Sequence, residues 1–522
     1  MKKPYFITLL GIAALSLMAF NINGQDYPWP DLGEAMIIEP GAPGVINETI
    51  NNDTLADGSR AHNHYILRRG ATYLYTFTIN NVGWPLMVTA EEGDGPKPII
   101  RALGPPAGEN EAERAFLCQG NTYLKDLHII GWDMTPYPTD NATIRLGADS
   151  ITVVNLNCFL EFNRQNIWRI NNNDGILYIE NCVVYNQGQA HDIPNGQPLN
   201  WRGSYSPLVH FRNNTVVNCT QGLNYQYGDK ESGKTIIDHN TLVNFGYQGG
   251  DFGRHDTVIF TNNLCVNVGI LGDAWNGDRS RFAEGWFLFA IDTAWSEVIT
   301  DEDTAYEYKE PVLQWENNHY YTDPAVAAFL PDSTNKASLI MFDEQLTDLI
   351  GENNEVVDEG FSFTDFPVMV EMYQDFIEDY YNIVDVPSQL PGFDWQWFDR
   401  DFDLDFSYSE SHPAYSAAAD GGPLGDRNWF PDWTPLSVEE IETTHFKVYP
   451  NPASNFIHIS LDEGQSINRI VISNILGQEM KSVNDITDKA LTISTSGLVQ
   501  GVYFVNYYNN KHYIGTNKLL IK

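Results

Sequence analysis

The sequence predicts an all-β fold, a right-handed parallel β-helix solenoid followed by a small C-terminal β-sandwich. Three observations predict it. A phrase of alternating apolar residues that closes on asparagine recurs through the middle of the chain. The 522 residues are 43% hydrophobic and 13% aromatic, enough for a large core or several domains and too apolar for a chain disordered throughout. From His445 onward the composition shifts to short regular strands in which acids and bases roughly balance.

The front of the chain reads as a secretory signal peptide over residues 1–24. Lys2 and Lys3 precede an apolar run over residues 6–20, and Asn21, Asn23 and Gly24 follow it. The run is shorter than the ~20 residues of a bilayer span, so cleavage near Gly24 is expected, with no transmembrane segment in the mature chain. Lys plus Arg total 30 against 69 Asp plus Glu, a formal charge of -39, which excludes an extended phosphate-binding surface and hence a nucleic-acid partner. Five thinly spread cysteines make neither a disulfide scaffold nor a CxxC zinc pair.

The solenoid is placed at residues 25–325. Its phrase closes on Asn157, Asn181, Asn214, Asn240, Asn263 and Asn318, at steps of 24, 33, 26, 23 and 55 residues. A step near 24 fits one coil of three short strands and three bends, and the longer steps carry loops or a skipped copy. Asparagine tolerates the left-handed bend, and its amide can bond to the asparagine one coil away, giving a stacked ladder. Cys158, Cys182, Cys219 and Cys265 follow these bends and read as small packing residues.

The segment from Arg69 through Ile79, with Leu86 to Arg101 and its Lys97-Pro-Ile-Ile strand, resembles the opening coils of pectate-lyase-like β-helix proteins over roughly residues 60–325. The resemblance implies a fold and stops short of a reaction, because no catalytic motif of that family aligns to a position here. Residues 326–437 form an acidic, aromatic-rich extension expected to pack on or close the solenoid. Between Asp301 and Glu440 there are 32 Asp or Glu against four Lys or Arg, a net charge of about -28. The helical-looking run 368–381 is expected to cover an open end or flank. Asp399, Asp401, Asp403 and Asp405 fall on one face if extended, so they are either a calcium surface or a solvated acidic strand face; no other cofactor is indicated. Ala414 to Trp429 resembles the closing motif of many secreted β-helix proteins. There Gly421, Gly422 and Gly425 supply turns, Arg427 pairs with Asp426 or Asp420, and Trp429 plugs an apolar surface.

Residues 438–444 are a linker, and 445–522 look like the type A C-terminal sorting domain of the type IX secretion system. Tyr449-Pro-Asn-Pro452, Leu476-Gly-Gln-Glu479, Gly501-Val-Tyr503 and the basic strand Lys518 to Lys522 carry the likeness. It implies export across both membranes to the outer cell surface or the medium, with the secretion machinery as a partner. The chain reads as a monomer.

Parallel coils present outward columns of side chains ~4.8 Å apart, which suits an extended polysaccharide. The sequence alignment gives one such column as Ile179, Arg212, Asp238, Thr261 and Glu316, with His210 in the neighbouring column and His239 at the bend. Arg212, Lys234, Asp238, His239 and Arg254 are the candidate catalytic groups for β-elimination on an acidic glycan, where cations neutralise the uronate and a base takes the C5 proton. Trp201, Arg202, His210, Tyr225, Tyr227 and His255 are the candidate substrate contacts. The alternative for Arg212 and Asp238 is a simple ion pair. A glycoside hydrolase needs several converging Asp, of which only Asp238 is well placed. The rival class is a non-catalytic surface, adhesive or glycan-binding protein.

Overall fold

Left-handed bends set the architecture. Asp126, Asn157, Asn181, Asn213, His239, Asn262 and Asn317 all have φ between 51° and 58°, a conformation that Asn and Asp reach at less cost than other side chains. In the computed structural model each of them turns the chain from one parallel sheet to a second. The structure describes residues 29–103, 114–131, 142–163, 166–188, 196–219, 221–227, 232–246, 249–252, 255–268, 289–290, 312–324, 354–356, 361–364, 405–433, 446–461, 467–474, 479–484, 486, 490–509 and 512–522.

Among the described residues sheet 1 has ten strands, from Ala35–Ile38 to Val312–Glu316, and sheet 2 has ten, from Thr72–Tyr75 to Asn354–Val356. Sheet 3 has six short strands, from Ile79–Asn80 to Asn224–Tyr227. All pair parallel, each strand with its counterpart one coil away, which is a parallel β-helix. Inward residues of the three sheets, among them Trp168, Phe211, Ile237, Leu242 and Phe260, fill one continuous core. The tenth strand of sheet 2 lies beyond residue 325.

Directly after each of these left-handed residues a buried position repeats as Leu127, Cys158, Cys182, Asn214, Asn240, Asn263 and Asn318. Asn214 N and Nδ2 donate to Asn240 Oδ1 at 3.0 and 3.1 Å, Asn240 donates to Asn263 at 2.9 and 3.0 Å, and Asn263 to Asn318 at 2.9 and 3.0 Å. Cys182 N donates to Asn214 Oδ1 at 2.8 Å, so the amide ladder hands over to the two cysteines. All five cysteines are free and buried. A second ladder, which the sequence reading did not anticipate, runs inside sheet 2: Asn186, Asn218, Asn244 and Asn267, again left-handed, are linked at 3.0, 3.0 and 3.1 Å.

The open apolar end of the first coil is covered by the helix Val45–Asn52, which buries Ile46 and Ile50. Residues 368–381, expected in that role, lie outside the described residues.

Residues 405–433 run across the bends and the outer side of sheet 2, with donors and acceptors matched coil by coil. Gly425 N donates to Asn262 O at 2.9 Å, Asp426 N to Thr241 Oγ1 at 2.9 Å and Arg427 N to Asn213 Oδ1 at 2.7 Å. Trp429 Nε1 donates to Thr215 Oγ1 at 2.7 Å, and Asn428 Nδ2 to Asn181 Oδ1 at 3.4 Å. Arg427 pairs with Asp420 at 2.5 Å, leaving Asp426 buried against Thr215. Gly425 has φ +82°, and a Cβ there would stand 2.4 Å from Thr241 Oγ1 and 3.2 Å from Leu264 Cβ. Gly425→Ala should therefore loosen this segment, at a cost of about 2–4 kcal/mol. Limited proteolysis reads the effect; cleavage within 405–433 no faster than in the wild type would contradict it.

The second compact unit, Trp433–Lys522, is an antiparallel sandwich. Three strands, Phe456–Leu461 central among them, face four strands ordered Glu479–Asn484, Arg469–Asn474, Gly501–Asn509 and His512–Ile521. Ile457, Ile459, Ile470, Ile472, Val505 and Leu519 form its core.

Candidate functional site

On the outer side of sheet 1 the register brings Glu180, Arg212, Asp238, Thr261 and Glu316 into one column. Ile179, assigned to this column from the sequence, pairs instead with Phe211 and points into the core. The slip is one residue. Aligning the last asparagine of each phrase matched Asn181 with Asn214, whereas Asn181 shares its column with Asn213, to which it is hydrogen-bonded at 2.6 Å.

Arg212 and Asp238 are brought together, Nε to Oδ2 3.4 Å apart. His239 Nδ1 lies 2.8 Å from the same oxygen, while Thr261 Oγ1 and Asn262 Nδ2 each donate to Oδ1 at 2.8 Å. Burial alone would push the Asp238 carboxyl up, but His239, Asn262 and Arg212 hold it well below the usual carboxylate range. A carboxylate so firmly ionised and so fully engaged is a poor proton acceptor. His210, one column over, stands 3.8 Å from Glu180 and edge-on to Tyr178. Lys234 faces outward between Leu208 and Thr257. Four residues separate it from Asp238, roughly 13 Å along an extended strand, so it is not part of the cluster.

Two of the expected substrate contacts lie inside the solenoid. Trp201 and His255 are buried, with ring centroids 5.3 Å apart, and His255 Nδ1 meets Thr235 Oγ1 at 2.9 Å. Burial pushes this imidazole down to about 3, so it stays neutral. The core position corrects the surface role expected of both. Arg202 ends a strand of sheet 3 in register with Tyr227, and Tyr225 is in register with Asn200. Arg254 lies outside the described residues, as do Asp399, Asp401 and Asp403; Asp405 accepts from Ser407 N at 2.8 Å.

Sheet 3 carries a site that the sequence reading missed. Its outward column runs Leu117, Arg145, Arg169 and Asn200 in register, the last two buried. Two arginines thus stand on adjacent coils, ~4.8 Å apart along the stack. Arg169 Nε and Nη2 donate to Asn166 Oδ1 at 2.9 and 2.7 Å. One coil on, Gln197 takes the position of Asn166 and Asn200 that of Arg169. Gln197 is 0% exposed, yet neither its Oε1 nor its Nε2 has a hydrogen-bond partner, and the buried Asn200 Oδ1 lacks one too. An unmet buried polar atom costs about 1–3 kcal/mol, so orphans grouped beside two guanidiniums mark a place that a polar ligand or water completes. The signal was in the sequence. Ile144-Arg-Leu146 and Trp168-Arg-Ile170 repeat one phrase at the same 24-residue step as Asn157 and Asn181.

No curated protein matches the chain. Residues 447–522, the unit built from the seven-stranded sandwich, match the family described as the secretion system C-terminal sorting domain. The tail is therefore a type IX sorting domain, and the solenoid it carries is a protein of the cell surface or the extracellular space.

Proposed function

We propose that the solenoid binds an acidic polysaccharide outside the cell, along the outward column of sheet 3. The observation that carries this reading is the pairing of Arg145 and Arg169 on adjacent coils beside the unpartnered Gln197 amide and the unpartnered Oδ1 of Asn200. Guanidiniums spaced by the coil repeat suit successive carboxylates or sulfates of a linear chain, and a carboxamide offers both a donor and an acceptor to sugar hydroxyls. The charge balance fits the same reading: cations are scarce in this chain, and a row of them is a local exception. The saturated network at Asp238 favours binding over turnover on sheet 1, since the carboxylate beside Arg212 is already fully engaged.

The test uses the purified full chain with alginate, pectate and chondroitin, with and without calcium. Retention in affinity gels reports binding, and ultraviolet absorbance of new unsaturated ends reports lyase turnover. Arg169→Ala is expected to weaken retention by roughly tenfold or more, the scale of one lost charge-assisted contact, while Arg212→Ala leaves it unchanged. Equal retention of Arg169→Ala and wild type on every polymer would remove the proposal. New unsaturated ends that vanish with Arg169→Ala would make the same column a lyase site.

A further inference from the structure

We infer that the export machinery reads the last strand of the sorting domain in a clasped state, through the side chains of Lys518, Leu520 and Lys522, and not by pairing with its backbone edge. Among the described residues the strand His512–Ile521 is the edge of its four-stranded sheet, with Gly501–Asn509 as its neighbour there. Such an edge ordinarily offers free N–H and C=O groups to any incoming strand.

Here residues 451–453 fill it. Asn451 Nδ2 donates to Lys518 O at 2.6 Å, and Leu520 N donates to Asn451 Oδ1 at 2.9 Å. Ala453 N then donates to Leu520 O at 2.7 Å, and Lys522 N to Ala453 O at 2.9 Å. The carboxamide of Asn451 stands in for one peptide unit and the backbone of Ala453 for the next. Two stretches nearly 70 residues apart in sequence, Tyr449-Pro-Asn-Pro452 and Lys518 to Lys522, are thereby one structural unit.

With the edge occupied, what remains to be read is the outward face. Leu519 and Ile521 point into the core, while Lys518, Leu520 and Lys522 are exposed, Leu520 at 39%. An apolar side chain between two cations fits a partner surface with an apolar pocket bordered by carboxylates. The occupant is the export machinery, because this sandwich is the sorting signal itself. From His445 the chain has seven Lys or Arg against five Asp or Glu, compared with 30 against 69 overall, so an acidic receptor would hold the tail and repel the rest.

The experiment expresses the full chain in a bacterium with a type IX apparatus, compares periplasmic with exported protein, and follows hydrogen exchange of the Leu520 amide in purified protein. Asn451→Ala is expected to raise that exchange roughly tenfold, as loss of one hydrogen bond does, and to lower export several-fold. Leu520→Ser and the double variant Lys518→Glu, Lys522→Glu should lower export without changing the exchange. Export of Asn451→Ala at or above the wild-type level, with the edge opened, would overturn the inference. So would normal export of both side-chain variants, a result that stands even if Asn451→Ala fails to fold.

Discussion

Asn240→Ala is expected to destabilise the solenoid by about 3–5 kcal/mol, more than any other single change in the bend columns. Oδ1 of Asn240 accepts from Asn214 N at 3.0 Å and shares Asn214 Nδ2 with Ile179 O, and its own Nδ2 donates to Phe211 O and Asp238 O at 3.1 Å. Alanine keeps the backbone bond to Asn263 and the bond from Asn214 Nδ2 to Ile179 O, but removes the acceptor of Asn214 N and the side-chain donor to the Phe211 carbonyl in a dry interior, each at about 1–3 kcal/mol. Asn240→Cys should be milder, since Cys182 holds the equivalent position two coils away with its N–H satisfied from the next asparagine. Urea unfolding of the full chain decides the matter. A loss below about 1 kcal/mol for the alanine variant would mean that the ladder is ornamental.

The second large effect is on pH. Asp426 is buried beneath the closing segment, and burial pushes its carboxyl up to about 7, with hydrogen bonds from Asn428 N and Thr215 Oγ1 offsetting part of the cost. Unfolded, the same group has its ordinary value near 4. The folded form therefore holds the proton more tightly. Its contribution to stability is fully present below pH 4 and is lost as pH rises through 7, about 4 kcal/mol in all at 1.36 kcal/mol per unit. The neighbouring carboxyls run the other way: Asp420, paired with Arg427, and Asp238 are both held low, so their contributions disappear only as the pH falls. Asp426→Asn keeps a side-chain acceptor for Asn428 N and removes the titration. Between pH 5 and 8 its urea midpoint should hardly change, while that of the wild type falls, most of the fall coming below pH 7. Parallel curves for the two proteins would show that Asp426 ionises normally.

How much of this was legible depended on punctuation. Asparagine stands at or next to each bend between sheets 1 and 2 from Asn157 to Asn317, so the step could be read directly there, and sheets 1 and 2 followed. The register missed by one residue for a physical reason. The outer left-handed column and the inner ladder column sit side by side, and Asn181-Cys182 and Asn213-Asn214 differ only in whether the inner member is cysteine or asparagine. A slip of one exchanges the two faces of a strand, which moved Ile179 outward and left Glu180 out of its column. Sheet 3 lacked any such mark. Its strands are two to four residues long, as in Ile79–Asn80, Ile144–Leu146 and Leu199–Arg202, too short for a periodicity to show. Trp201 and His255 read as loop residues beside the sheet 1 face, but both lie in strands: parity sends Trp201 inward, and His255, at the very start of its strand, is buried against Trp201 and Thr235 although it shares parity with the outward Thr257.

The contacts of residues 405–433 span coils whose donors and acceptors lie up to 247 residues apart in sequence. A bare stack holds each layer only to the two beside it, so its ends can fray while the middle stays wound. A strip bonded to four successive layers at Asn181, Asn213, Thr241 and Asn262 ties their melting together, because none can open without releasing the same strip. That strip follows all four layers in synthesis, so the tie forms last and turns a sequence of small, separable transitions into a single cooperative one.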